Sequence, residues 1–262
     1  MTRLRVIYRL VEAGKGREAA KLRSYIRAAY AAALRADGDP TIPRALQAFN
    51  LSHNPAQDLA ALSQFNQIRD TTLTLPELRA LWNRLEEHEG PTGAALRLCI
   101  LMGGQRPSQL VRLLSSDVDF HGGKITIYDP KGRRSQPRAH ILPITPVIET
   151  ELYPWVASHP NGYALSSTGG EIPLRLETLS TAFKKITRAM RDAGKLGKDF
   201  RLADIRRTVE TLLAGEGISM ETRAQLQSHG LSGIQNRHYD RHSYMNEKQL
   251  ALTTLQKLLM TQ

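Results

Sequence analysis

The apolar positions of this chain fall into a series of short periodic blocks. Residues 17–35 read REAAKLRSYIRAAYAAALR, in which Leu22, Ile26, Tyr30 and Ala33 recur near helical spacing with arginines between them. That pattern, rich in Ala, Leu and Arg, predicts an amphipathic helix. Residues 38–43 break it, with Pro40 and Pro43 as punctuation. Residues 53–58 read as a linker to a second unit. That unit opens at Thr74-Leu-Pro-Glu77, a capping box in which the Thr hydroxyl accepts from the Glu amide and the Glu side chain reaches back. Leu78, Leu81, Trp82 and Leu85 follow at i, i+3, i+4 and i+7, one face of a helix. A second helix is predicted over roughly residues 92–102, stopped by Gly103-Gly104. Leu110, Val111, Leu113 and Leu114 predict a further one.

The period then changes. Residues 124–129 (KITIYD) alternate as a strand does, residues 139–144 (AHILPI) are the expected partner, and the loop between them is too basic to be core. Thr145-Pro146 is an N-cap followed by Pro at the first helical position. Leu179, Phe183, Ile186 and Met190 mark a long amphipathic helix. Leu202, Ile205, Val209, Leu212 and Leu213 mark another, closed by Gly215 and Gly217. Ser219 caps the next. Residues 245–260 carry Leu250, Leu255, Leu258 and Leu259 on a terminal helix, a stripe suited either to intramolecular packing or to docking on a neighbouring protomer. The expected fold is mainly α with a small antiparallel β-sheet, an α+β arrangement. It is divided into a helical segment over residues 1–70 and a larger domain over residues 71–262.

Composition narrows the partners. The 262 residues contain 36 Lys and Arg against 25 Asp and Glu, a net charge of +11. Such a chain is drawn to polyanions, nucleic acid first. The basic residues cluster twice, with five against one acid over 124–138 and nine against three over 184–207, as for a path along a phosphate backbone. The first segment is itself basic, with eleven basic residues and six acids. It is short for a self-sufficient domain, which fits a DNA-binding segment lacking its N-terminal part. The single Cys99 excludes disulfides and Cys-rich zinc ribbons and fits a cytoplasmic setting. No apolar run reaches membrane-spanning length, and the N-terminus has no signal-peptide core.

Residues 229–244, HGLSGIQNRHYDRHSY, hold the densest chemistry. One reading is a metal site using His238 and His242 at i, i+4 with His229 as third ligand, but Tyr239 stands where a zinc protease would carry Glu. A second is a solvated basic helix face. A third is a tyrosine nucleophile acting on a DNA phosphate. A phenol is a weak nucleophile at its ordinary pKa of about 10. It needs a nearby base and cations that stabilise charge on the phosphoryl oxygens. Arginines suit that task because their planar fork grips two oxygens at once.

The chain resembles the tyrosine recombinases, and among them the phage-type and genomic-island integrases. The resemblance covers residues 71–262 and, more loosely, residues 14–58. Gly103-Gly104-Gln105-Arg106-Pro-Ser-Gln-Leu110 resembles the family's first arginine box, Asp204-Ile-Arg-Arg-Thr208 the second, and Leu226-Gln-Ser-His229-Gly the Leu-Gly-His element. Lys131, in Asp-Pro-Lys-Gly-Arg, stands where the family carries its β-hairpin lysine. Tyr239 follows His229 by ten residues, a spacing found in part of the family. The resemblance implies a catalytic set of Tyr239, Arg106, Arg206, His229 and Lys131, with Tyr239 as nucleophile and Lys131 as the acid that protonates the leaving 5′ oxygen. Tyr244, fifteen residues past His229, is the rival nucleophile. Arg133, Arg134, Arg138, Arg207 and His238 are expected to contact DNA.

Two positions depart from the family pattern. The second box usually reads His-x-x-Arg, and here Ala203 takes the histidine's place. The first box often carries Glu where Gln109 stands, which removes a buried charge partner but is expected to keep hydrogen bonding. The resemblance further implies a 3′-phosphotyrosyl intermediate needing neither cofactor nor metal, and assembly as a homotetramer on double-stranded DNA with accessory DNA-bending or directionality proteins. Ala203 keeps a catalytically impaired DNA-binding relative as the alternative. A type IB topoisomerase-like activity and a metallohydrolase follow.

Overall fold

The computed structural model describes residues 5–66, 69–129, 137–229 and 242–260. The chain divides into two compact units, Met1–Arg69 and Asp70–Gln262.

In the first unit α1 (Arg5–Glu12) packs on α2 (Gly16–Arg35). The remainder is held to α2 by polar clips. Arg23, buried in mid-helix, donates through Nε to the Leu59 carbonyl at 3.0 Å and through Nη2 to the same oxygen. Asn54 Nδ2 donates to the Arg27 carbonyl at 2.9 Å, and its Oδ1 accepts from the Ala56 amide at 3.0 Å. The stretch expected as a linker is therefore fastened to α2. Asn54 and Ala56 are buried, because a carboxamide there satisfies backbone groups that a mobile linker would leave to water.

The second unit is built around α4 (Gly90–Leu101), whose Ala94, Ala95, Leu96, Leu98, Cys99, Ile100 and Leu101 are all buried. A helix apolar on every side belongs at the centre of a core, and α4 touches elements on several sides. On one side lies α3 (Leu75–Glu86), which carries the expected capping box. The Thr74 Oγ1 accepts from the Glu77 amide at 3.4 Å, and Glu77 Oε2 accepts from the Thr74 amide at 2.9 Å. Such a cap stabilises a helix by about 1 kcal/mol. On another lies α6 (Pro146–Ser158), capped by Thr145 Oγ1 accepting from the Ile148 amide at 3.2 Å. Arg97 ties all three together. It makes a two-pronged ion pair with Glu151, at 2.9 and 2.8 Å, and donates to the Leu85 and His88 carbonyls.

After α4 the chain makes only a short helix, α5 (Pro107–Leu110). The helix expected over 110–114 does not form. The Leu113 carbonyl accepts from the Ala164 amide at 2.9 Å, and Leu114 bridges Tyr163, so the helix gives way through a turn at Val111 and Arg112 to bridged backbone at Leu113 and Leu114. The sheet is antiparallel in the order β1 (Val118–Asp119), β2 (Lys124–Asp129), β3 (Arg138–Pro143), with Asp129 opposite Arg138 and Ile125 opposite Leu142. Then come α7 (Leu176–Asp192), α8 (Asp204–Gly215) and α9 (Met220–Gln227), the last capped by Ser219. The terminal helix is α10 (Met245–Met260). Its Ala251, Leu252, Leu255 and Leu259 are buried in the core that α3, α4, α8, α9 and β3 share. The stripe offered as a docking face is thus mostly intramolecular packing, and Leu250, 62% exposed, points the other way. No helix among the described residues is long and apolar enough to cross a membrane.

Candidate active site

The chain must turn sharply between α4 and α5, and Gly103 and Gly104 make that turn at φ of 82° and 75°. This left-handed backbone strains any residue with a Cβ. Space requires glycine a second time. A Cβ on Gly104 would lie 2.9 Å from the Arg206 Cα and 3.1 Å from Gln227 Nε2, and one on Gly103 would lie 2.8 Å from Leu226 Cδ2. The turn therefore presses the first arginine segment against both α8 and α9. Two buried carboxamides lock it there. Gln105 Nε2 donates to the Met102 and Leu226 carbonyls at 2.7 and 2.8 Å. Gln227 Nε2 donates to the Gly103 and Arg206 carbonyls at 3.2 and 2.9 Å.

Arg206 leaves α8 toward this turn. Its Nη1 donates to the Gly104 carbonyl at 3.2 Å and its Nη2 to the Gln227 carbonyl. Burial, and then the charge of Arg106, pull its pKa down to about 10, so it remains cationic at neutral pH. Arg106 immediately precedes α5 without capping it, and its Nη1 donates to Asp129 Oδ2 at 2.9 Å, with 24% of the arginine side chain and 10% of the aspartate exposed. The two guanidinium groups lie close enough to repel each other, each steadied by different partners.

His229 follows α9 through Ser228, whose φ of 51° ends the helix. Its Nε2 lies 3.6 Å from Glu210 Oε2, and Glu210 Oε1 accepts from Arg223 Nε at 2.9 Å. Glu210 stands four residues after Arg206, on the same face of α8. The structure thus gathers Arg106, Arg206 and His229 around the ends of α4, α8 and α9.

The other expected residues fare differently. Arg207 donates to the Thr71 carbonyl at 3.2 Å and to Asp204 Oδ1 at 3.1 Å, tying α8 to the segment before α3. Arg138 opens β3 opposite Asp129. Ala203, exposed, precedes α8 and offers no side-chain cap. Tyr244 donates its hydroxyl to Glu221 Oε1 at 2.6 Å. Glu221 lies in the first turn of α9 and Gln227 ends it, about 9 Å apart along the axis, so the hydroxyl is held near the opposite end of α9 from the Gln227 carbonyl that Arg206 grips. His242 Nε2 meets Glu247 Oε1 at 2.7 Å. Lys131, Arg133, Arg134, His238 and Tyr239 lie outside the described residues. Among the described residues no group of three His, Cys, Asp or Glu is arranged to hold a metal ion.

Asp129, Glu210 and the pair His140–Lys248 are site neighbours that lie outside the sequence motifs. His140 Nε2 meets the Leu226 carbonyl at 2.9 Å, and burial, then Lys248, push its pKa down to about 3, so the ring is neutral and donates. Lys248 Nζ donates to the Ile141 carbonyl at 2.9 Å, and burial, then Arg138, bring it down to about 8. A signal for two of them existed. Asp129 and His140 occupy the inward phase of their strands, in register with Ile125, Ile127 and Leu142. A polar residue on an apolar phase asks for a buried partner.

No protein-family model matches the chain, and no curated protein sequence matches it. Solved structures do. The fold is similar to that of a lambda integrase dimer bound to a COC' core site, with a TM-score of 0.59 and 19% identity over 86% of this chain and 76% of that one. It is similar to the Tn1549 transposon integrase in complex with circular intermediate DNA, with a TM-score of 0.61 and 14% identity over 94% and 82%. A lambda integrase tetramer bound to a Holliday junction gives 0.59 and 18% over 90% of this chain. The chain spans 64% of that protein's length. The fold is similar to that of these integrases.

Proposed function

We propose that this chain is a site-specific DNA recombinase, an integrase that cuts and rejoins double-stranded DNA through a 3′-phosphotyrosyl intermediate to insert or excise a mobile element. The observation that carries this reading is the convergence of Arg106 and Arg206 at the Gly103–Gly104 turn, with His229 reaching Glu210 one turn after Arg206 on α8, in a fold similar to that of integrases. Two forked cations meeting at one half-buried place are costly unless an anion is to be held there. A phosphodiester supplies that anion and two oxygens to grip.

In this reading Tyr239 attacks the scissile phosphorus as the bond to the 5′ oxygen breaks. Arg106 and Arg206 hold the nonbridging oxygens, on which charge accumulates. His229 takes the phenol proton, and Lys131 delivers a proton to the departing 5′ hydroxyl. Attack by a 5′ hydroxyl from a partner strand reverses the step. The stored phosphodiester energy removes any need for a nucleotide or metal. Arg133, Arg134, Arg138 and His238 track the flanking backbone, with Arg207 both tying α8 and contacting phosphate. The helical segment before residue 71 clamps the duplex. Four copies act together on two duplexes, as in the lambda integrase tetramer on a Holliday junction, in a DNA-associated cytoplasmic protein aided by accessory proteins.

The test is strand exchange between two labelled duplexes bearing the ends of the element that encodes the chain, with EDTA present. Recombinant product supports the proposal. Relaxation of a supercoiled plasmid lacking any such site, without exchange, would instead support topoisomerase-like action. Ala203 favours one second reading, an impaired relative that binds the same DNA without cutting it. Salt-sensitive binding with no covalent product would favour it.

A further inference from the structure

The first arginine segment carries Gln109 one turn after Arg106. Gln109 is 4% exposed, and among the described residues neither polar atom of its side chain has a hydrogen-bond partner. It does not hold Arg106. The carboxylate that does comes from another element, through the 2.9 Å contact between Arg106 Nη1 and Asp129 Oδ2. Asp129 is the last residue of β2 and stands two positions before Lys131. Its charge is felt by Arg206 as well, where it and Glu210 oppose the repulsion from Arg106.

We infer that Asp129 is the positioning residue for Arg106 in the proposed reaction, aiming its guanidinium at the phosphate and letting two arginines share one site before DNA arrives. One Nη1 bond to Asp129 fixes the guanidinium plane and leaves its other N–H groups for phosphate oxygens. In an unpaired state the Arg106 head would turn away from Arg206 into solvent. Because Asp129 ends the strand that leads to Lys131, the same carboxylate fixes the first arginine relative to the start of that loop.

This inference rests on the proposed function for its meaning but not for its test. The experiment is a double-mutant cycle of Asp129→Asn and Arg106→Gln, with Asp129→Glu as the conservative variant, each checked by thermal melting. Two readouts are taken: covalent adduct formation on nicked element DNA, and affinity for an unrelated duplex across salt concentrations. Removing an acid from a basic surface ordinarily tightens DNA binding. Asp129→Asn is expected to tighten it only when Arg106 is already replaced. With Arg106 present, the loss of aim cancels the gain, a coupling of about tenfold. Adduct formation is expected to fall about tenfold or more in Asp129→Asn, to recover in part in Asp129→Glu, and to be insensitive to Asp129 once Arg106 is Gln. Equal effects of Asp129→Asn in both backgrounds would overturn the inference. Absence of any adduct from the unaltered chain would count against the proposed reaction alone, and the binding cycle would still decide the inference.

Discussion

The carbonyl of Gly104 accepts a hydrogen bond from Arg206 Nη1 at 3.2 Å, so the residue that turns the chain after α4 also orients a guanidinium on α8. The contact exists because Gly104 has no side chain, since a Cβ would stand 2.9 Å from the Arg206 Cα. Gly104→Ala must push the turn off α8. The expected result is a loss of roughly 1–3 kcal/mol in stability and about 100-fold in DNA cleavage. Gly103→Ala carries the same backbone strain but meets only the side chain of Leu226, from 2.8 Å, and no backbone of α8, and should cost less cleavage. Melting curves and adduct yields of the two variants check this. Equal cleavage by both would contradict it.

Much of this arrangement is written in local signals. The capping box at Thr74, the caps at Thr145 and Ser219, the β2–β3 pairing and the terminal helix all follow from patterns a few residues long. What failed depended on distant partners. Leu110 to Leu114 have helical spacing, yet the helix stops at Leu110 because backbone groups at 162–164 pair with residues 113–115. Residues 53–58 look like a linker until Asn54 is seen bonded to Arg27. The resemblance named Arg106 and Arg206, but the carboxylates that steady them come from β2 and from the next turn of α8. No motif length spans those distances.

Arg206 grips two carbonyls, Gly104 and Gln227, with separate nitrogens of one plane. Lysine keeps the charge and loses the fork. Arg206→Lys is therefore expected to lower cleavage by about 100-fold while changing the salt slope of DNA binding by less than about one unit. Titrations at several salt concentrations, beside single-turnover cleavage, measure both. A parallel collapse of binding and slope would mean that Arg206 serves affinity rather than chemistry.

Two buried groups predict how stability varies with pH. His140 titrates at about 3 in the folded chain, against 6.5 for a free histidine. Between those values the unfolded chain binds the extra proton, so stability present above 6.5 is lost as pH falls toward 3. Lys248 titrates at about 8 against 10.5, so the unfolded chain again holds the extra proton between them, and stability rises over that range. Each contribution is on the order of a few kcal/mol. His140→Gln should flatten the acid limb of a plot of melting temperature against pH, and Lys248→Met the alkaline limb. Unchanged slopes in both variants would refute the assignment.

In the proposed reaction the arginine pair serves a tyrosine nucleophile at Tyr239. Tyr244 is the rival on the same stretch, and its hydroxyl is engaged by Glu221 at 2.6 Å. The direct measurement is covalent trapping on nicked DNA bearing the ends of the encoding element, with EDTA present and unaltered chain, Tyr239→Phe and Tyr244→Phe compared. A denaturation-resistant adduct is expected with the unaltered chain and with Tyr244→Phe, and none with Tyr239→Phe. An adduct that survives Tyr239→Phe, or no adduct from a chain that binds the same DNA, would contradict the proposed reaction.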